Sequence, residues 1–344
     1  MPEMARVVRV GGPFFEDLHV GQVFEDAPGV TLTSGHAAFH QALFGDRLQL
    51  PLDAELSAAV TGRRERLVHP MLVCNVAIGQ TTTASQRVRA NLFYRGLVLL
   101  RPVHVGDTLR TTTEVVALKQ NRRRPDRPAT GLAALRMRVA NQHGEPVLDF
   151  WRCPMIPLRD PEAETGHADD FASIPAELDP GALAAAVPAG WRLDVFGERV
   201  PGPRFEDLGD LGAGTVYEVE SRDTVTCAPE LARLTLNVAQ THTDAGAGTF
   251  GRRLVYGGHT ISVAAAQVTR AIPTLVTHLG WRSCDHTGPV FEEDILRTEV
   301  EVEGLHPLEG GHAMVDLRAR VFASRAGVDH EQDVLDWRFV GLVP

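Results

Sequence analysis

Leu135-Arg136-Met137-Arg138-Val139 returns further along the chain as Leu317-Arg318-Ala319-Arg320-Val321, and it does not return alone. Phe15-Glu16-Asp17-Leu18 recurs as Phe205-Glu206-Asp207-Leu208. Pro102-Val103, followed by Leu109-Arg110-Thr111, recurs as Pro289-Val290 followed by Leu296-Arg297-Thr298. Val147-Leu148-Asp149 recurs as Val334-Leu335-Asp336, with Trp151 and Trp337 just behind. The four matches keep their order and a nearly constant offset. Self-similarity of this kind means one structural unit used twice, and it leaves either copy free to lose its chemistry.

Working outward, each copy reads as helices followed by strands. A run of small and apolar residues after Thr33-Ser34-Gly35 (36–44) and another from Leu231 to Ala239 suggest a first helix, the latter opened by Pro229. Met71 to Thr82 and His259 to Ala271 are small or aliphatic all round, which predicts helices buried on most faces. Alternation over Thr108–Leu118, Leu132–Val139, Val147–Trp151, Ile295–Val302 and Ala313–Phe322 predicts an antiparallel sheet. The fold class expected is therefore α+β, with repeats over 1–157 and 204–344 and a linker over 158–203 that packs in part through Trp191 and Phe196.

The 344 residues suit two units of about 170. A net charge of −10 argues against a binder of nucleic acid by phosphate neutralisation. Cys74, Cys153, Cys227 and Cys284 are scattered, with neither a disulfide framework nor zinc spacing. No stretch resembles a signal peptide or reaches the roughly 18 apolar residues of a membrane span, so a soluble, cytoplasmic protein is expected.

The stretch Leu236-Asn-Val-Ala-Gln-Thr-His-Thr-Asp244, with Thr249-Phe-Gly-Arg-Arg-Leu-Val-Tyr-Gly-Gly258, resembles the (R)-specific enoyl-CoA hydratase pattern of the MaoC-like hot-dog family. That pattern reads Asp-x-Asn-Pro-aliphatic-His-x-Asp, then Phe-x-Arg-Pro-aliphatic-x-His-Gly-Met at the start of the central helix. The resemblance puts Asn237 at the catalytic Asp position, His242 at the catalytic His and Gly257 at the helix-opening Gly. It also implies substrate contacts from Asp244, Arg252, Arg253, Tyr256, Gly258 and His259, with Arg252 or Arg253 available to a substrate carboxylate. The first repeat fits the same frame, with Asp46, Pro51 and Asp53 at the Asp, His and later Asp positions, and Val68-His69-Pro70-Met71 over the helix start.

The resemblance implies a double hot dog, a CoA thioester as substrate, no metal or redox cofactor, and a homodimer. Within the family it is nearest to the mesaconyl-CoA (2-methylfumaryl-CoA) hydratase branch. Physics then separates the repeats. Adding water to an enoyl thioester needs an N–H donor for the charged thioester oxygen and a base for the water. Gly257 and His242 can supply these, whereas Pro70 and Pro51 have neither. The second repeat is expected to work and the first to be silent. Asp46 is a relic, a cap, or a contributor from across the fold. Asn237 can orient a water but cannot take its proton. A broader (R)-specific hydratase, a hot-dog thioesterase and a non-catalytic acyl-CoA-binding subunit remain alternatives.

Other motifs have plainer readings. Gly246-Ala-Gly-Thr-Phe-Gly251 spells a dinucleotide fingerprint without the strand and helix it needs. His36 and His40 lack a third metal ligand. The runs 63–66 and 122–124 are basic loops.

Overall fold

Residues 7–125, 127–204, 207–208 and 213–344 are described by a computed structural model; the Phe205-Glu206 half of one repeat match lies outside them. Among the described residues, twelve strands form one antiparallel sheet. In chain order they are β1 (Val23–Phe24), β2 (Val30–Thr31), β3 (Ala90–Leu99), β4 (Thr108–Gln120), β5 (Thr130–Ala140), β6 (Pro146–Pro157), β7 (Val216–Glu218), β8 (Asp223–Thr224), β9 (Thr277–Asp285), β10 (Ile295–Leu308), β11 (His312–Ser324) and β12 (Gln332–Val343). The order across the sheet is β1-β4-β5-β6-β3-β9-β12-β11-β10-β7, with β2 on β4 and β8 on β10. Each repeat contributes the same meander, and the two join at β3–β9, where Leu97 pairs Trp281 and Val98 pairs Gly280.

The helices of the first repeat are α1 (Ser34–Phe44), α2 (Gln49–Leu52), α3 (Ala54–Thr61) and α4 (Pro70–Gln80). The inter-repeat segment holds α5 (Pro180–Ala186) and α6 (Leu193–Arg199), and the second repeat has α7 (Ala228–Leu234) and α8 (Gly257–Ala271). Every residue of α4 is buried, as are residues 258–269 of α8, as expected for helices covered on most faces. The helix expected over Leu231–Ala239 is shorter and earlier. Leu236 turns left-handed, with φ of 56°, and releases the chain into the loop that carries Asn237 and His242.

The repeat matches mark shared interactions. Arg136 grips Asp149 with two bonds of 3.1 and 2.8 Å, and Arg318 grips Asp336 with two of 2.9 and 2.6 Å. The amides of Val68 and Val255 donate to the carbonyls of Val103 and Val290 at 2.8 and 2.9 Å. Gln80 and Gln267 donate to the carbonyls of Leu109 and Leu296. Where α4 meets α8, Asn75 Nδ2 donates to Ser262 Oγ at 2.9 Å. A Cβ on Gly258 would lie 1.9 Å from Asn75 Oδ1, so this crossing requires glycine.

Candidate active site

A cavity of about 290 Å³ opens at the N-terminus of α8, walled on the other side by β3 and β6 of the first repeat. Asn237, His242, Tyr256 and Gly257 line it, as the sequence implies, with Phe250, Leu254 and Val255 from the same loop. The frame that equates Asp46 with Asn237 holds in the backbone. Leu48 N–H donates to Asp46 Oδ1 at 2.9 Å and Ala239 N–H to Asn237 Oδ1 at 3.0 Å. Arg47 N–H reaches Thr269 Oγ1 of α8 while Val238 N–H reaches Thr82 Oγ1 just past α4. Asp53 and Asp244 each accept the amide two residues on.

The loop geometry fixes the chemistry of each group. Asn237 is only 5% exposed, and with Oδ1 held by Ala239 its amide N–H groups are left to serve the cavity. His242 Nδ1 lies 2.9 Å from the carbonyl of Leu254, an acceptor only, so Nδ1 carries the proton and Nε2 has the lone pair. Enclosure by protein lowers its pKa to about 4, partly offset by the Leu254 bond and reinforced by the positive charge of Arg152. His242 is therefore neutral and able to accept a proton at neutral pH.

Gly257 is the first residue of the 15-residue helix α8, so its N–H has no carbonyl four residues back and sits at the positive end of the dipole. A Cβ here would lie 2.5 Å from His286 Nε2. The need for glycine is one of space. Tyr256 caps the helix approach and donates its hydroxyl to Asn75 O at 3.2 Å.

Four further residues line the cavity that the sequence did not reveal: Arg89, Tyr94 and Arg152 from the first repeat, and His286 just past β9. Arg152 Nη2 donates to Ser85 Oγ and lies 3.4 Å from Thr81 O. His286 Nε2 is buried without a hydrogen-bond partner, and burial lowers its pKa to about 4.

Five residues expected to contact substrate do not line this cavity. Asp244 is exposed and folds back on Gly246 N–H. Arg252 lies over the Phe291 ring, 4.1 Å from its centre, and Arg253 pairs with Glu292 at 2.5 Å. Gly258 faces Asn75. His259 is buried, with Nε2 3.0 Å from Thr226 O and its ring edge-on to Phe44. Asp46 also lies elsewhere, 2.9 Å from His69 Nε2 in the first repeat.

The matching place in the first repeat is nearly closed, at about 20 Å³. Leu67, Val68 and Pro70 stand there where Leu254, Val255 and Gly257 line the open cavity, and Leu99 stands where His286 does. Ala186, Pro188 and Trp191 of the inter-repeat segment cover it. So this segment packs over the lost site.

Buried histidines make stability depend on pH. His259 and His278, each 1% exposed, have pKa values lowered by burial to about 4 and about 3. Unfolded, each titrates near 6.5, so between that value and the folded one the unfolded chain binds more protons. Their stabilisation is full above about pH 6.5 and is lost as pH falls, on the order of 3 kcal/mol for His259 and about 5 kcal/mol for His278 over the whole window. Thermal melts should shift down steadily between about pH 6.5 and 4.5. A melting temperature flat across that range would refute the assignment.

A family model described as mesaconyl-CoA hydratase matches residues 5–275 of the chain. A mesaconyl-CoA hydratase of Cereibacter sphaeroides is 30% identical over 331 residues, covering 92% of this chain and 91% of that one. A β-methylmalyl-CoA dehydratase of Chloroflexus aurantiacus is 29% identical over 327 residues, covering 93% and 90%. Among solved structures, a conserved hypothetical protein of Mycobacterium tuberculosis, described as essential for survival during infection and as a double hotdog, superposes with a TM-score of 0.87. It is 49% identical, with 97% of this chain and 99% of that one covered.

Proposed function

The chain belongs to the mesaconyl-CoA hydratase family, and we propose that it adds water reversibly to mesaconyl-CoA to give β-methylmalyl-CoA. The observation that carries this reading is a neutral His242 and the open N-terminus of α8 at Gly257 sharing one cavity. Water held between the Asn237 amide and His242 Nε2 attacks the β-carbon and forms the new C–O bond. Its proton passes to Nε2. The electron pair of the double bond moves onto the thioester oxygen, where the Gly257 N–H and the helix dipole stabilise it. Collapse of that enolate takes the proton from His242 at the α-carbon, so one water is added overall.

The reaction as written uses no metal or redox group, and CoA enters as part of the substrate. A thioesterase would activate water with a carboxylate, and no Asp or Glu is among the described lining residues. No described helix is long and apolar enough to cross a membrane. A cytoplasmic location and a homodimer belong to the same proposal. Offered mesaconyl-CoA, the protein should remove the enoyl absorbance without releasing free thiol. Thiol release with the double bond intact would overturn the reading.

A further inference from the structure

We propose that Arg152 is the specificity residue of this cavity: it binds a carboxylate on the acyl group and so selects dicarboxylic enoyl thioesters over neutral ones. The inference rests on the hydratase reading and adds the residue that recognises the free carboxylate of the acyl group.

Arg152 projects from β6 into the cavity and is only 3% exposed. Its neighbours are neutral hydrogen-bonding groups: Ser85 Oγ, Thr81 O and the Tyr94 hydroxyl. Its Nε is buried with no partner. Among the described residues no carboxylate is paired with it, and the described lining contains Arg89 and Arg152 but no Asp or Glu. A buried guanidinium without an anion is an expensive arrangement, and an incoming carboxylate removes most of that cost. The fork of a guanidinium also matches the two oxygens of a carboxylate.

The duplication supplies a control. Arg152 pairs with Leu135 on β5 and Tyr94 on β3. In the second repeat the same register pairs Phe339 with Leu317 and Trp281. Phe339 is fully buried and packs on Trp337 and His278. An apolar residue therefore serves the sheet at this position, so the fold does not require an arginine there. The cation is present only on the strand that faces the open cavity. Of the other arginines near the site, Arg253 is paired with Glu292; Arg89 also lines the cavity and keeps its Nε without a partner, but it is only half-buried and turns one end of its guanidinium to Ala247 O. The position of Asn237 fits, because an aspartate there would set a second anion near the substrate's own.

The test compares wild type with Arg152→Gln and Arg152→Met. The methionine keeps the stem and suits a site where its counterpart is phenylalanine, which favours folding. One arm measures kcat/KM for mesaconyl-CoA and crotonyl-CoA. The wild type should prefer mesaconyl-CoA by about 10²-fold or more, and both variants should lose that preference because mesaconyl-CoA hydration falls far more than crotonyl-CoA hydration. The other arm needs no turnover: calorimetric binding of saturated methylsuccinyl-CoA against butyryl-CoA, with the same loss expected. An unchanged preference in folded variants, or equal losses for both substrates, overturns the role of Arg152. A wild type that binds methylsuccinyl-CoA selectively but hydrates nothing would instead overturn the hydratase reading and leave the carboxylate site standing.

Discussion

Replacing His242 with alanine should lower kcat for mesaconyl-CoA by about 10²–10⁴-fold with a much smaller change in KM. The loss falls on kcat because the proton is transferred in the transition state, while the CoA moiety and the acyl carboxylate are held by other groups. His242 is suited to this part by position as much as by type. The Leu254 carbonyl fixes the tautomer, and the cavity receives the free Nε2. Asn237 cannot take over, since its amide has no basic lone pair at neutral pH. His286 is the only other histidine on the described lining, and its Nε2 is also without a partner. Near-full kcat in a folded His242→Ala protein would transfer the proton step to His286 and contradict the role given to His242.

Copying the closed pocket into the open one should be nearly as damaging. Gly257→Pro removes the N–H assigned to the thioester oxygen, and His286→Leu clears the space a side chain at 257 needs. The first repeat shows that the pair can be housed. Pro70 opens α4 at the equivalent position, with Leu99 beside the same pocket. The double variant should keep its far-ultraviolet circular dichroism and lose about 10²–10³-fold in kcat, beyond any loss in His286→Leu alone. A folded double variant within a few-fold of the single one would remove Gly257 from the mechanism.

The sequence carried the α+β double repeat because its recurring residues have structural jobs. Arg136–Asp149 and Arg318–Asp336 are the same cross-strand grip, seen twice. It carried one side of the site, Asn237, His242, Tyr256 and Gly257, because those lie on one continuous loop leading into α8. The opposite wall was not legible. Tyr94 sits on β3, a strand at the seam between repeats whose burial does not alternate, and β9 across the seam behaves alike. Arg152 lies on the second half of β6, past the stretch whose alternation marked the strand. Its side chain reaches the second repeat's cavity only because the sheet joins the repeats edge to edge, which no local pattern records. The same gap in local information explains Arg252 and Arg253. They are close in sequence to the helix start, yet the loop turns them outward to Phe291 and Glu292.

In this reading one cavity, built on the second repeat, hydrates mesaconyl-CoA through His242 and Gly257. The most direct test is a side-by-side time course of mesaconyl-CoA with wild type, His242→Ala and Gly257→Pro/His286→Leu, following enoyl absorbance and free thiol together. The wild type should consume the double bond without releasing thiol, and both variants should be slowed by about 10²-fold or more. Comparable rates in all three proteins would contradict this reading.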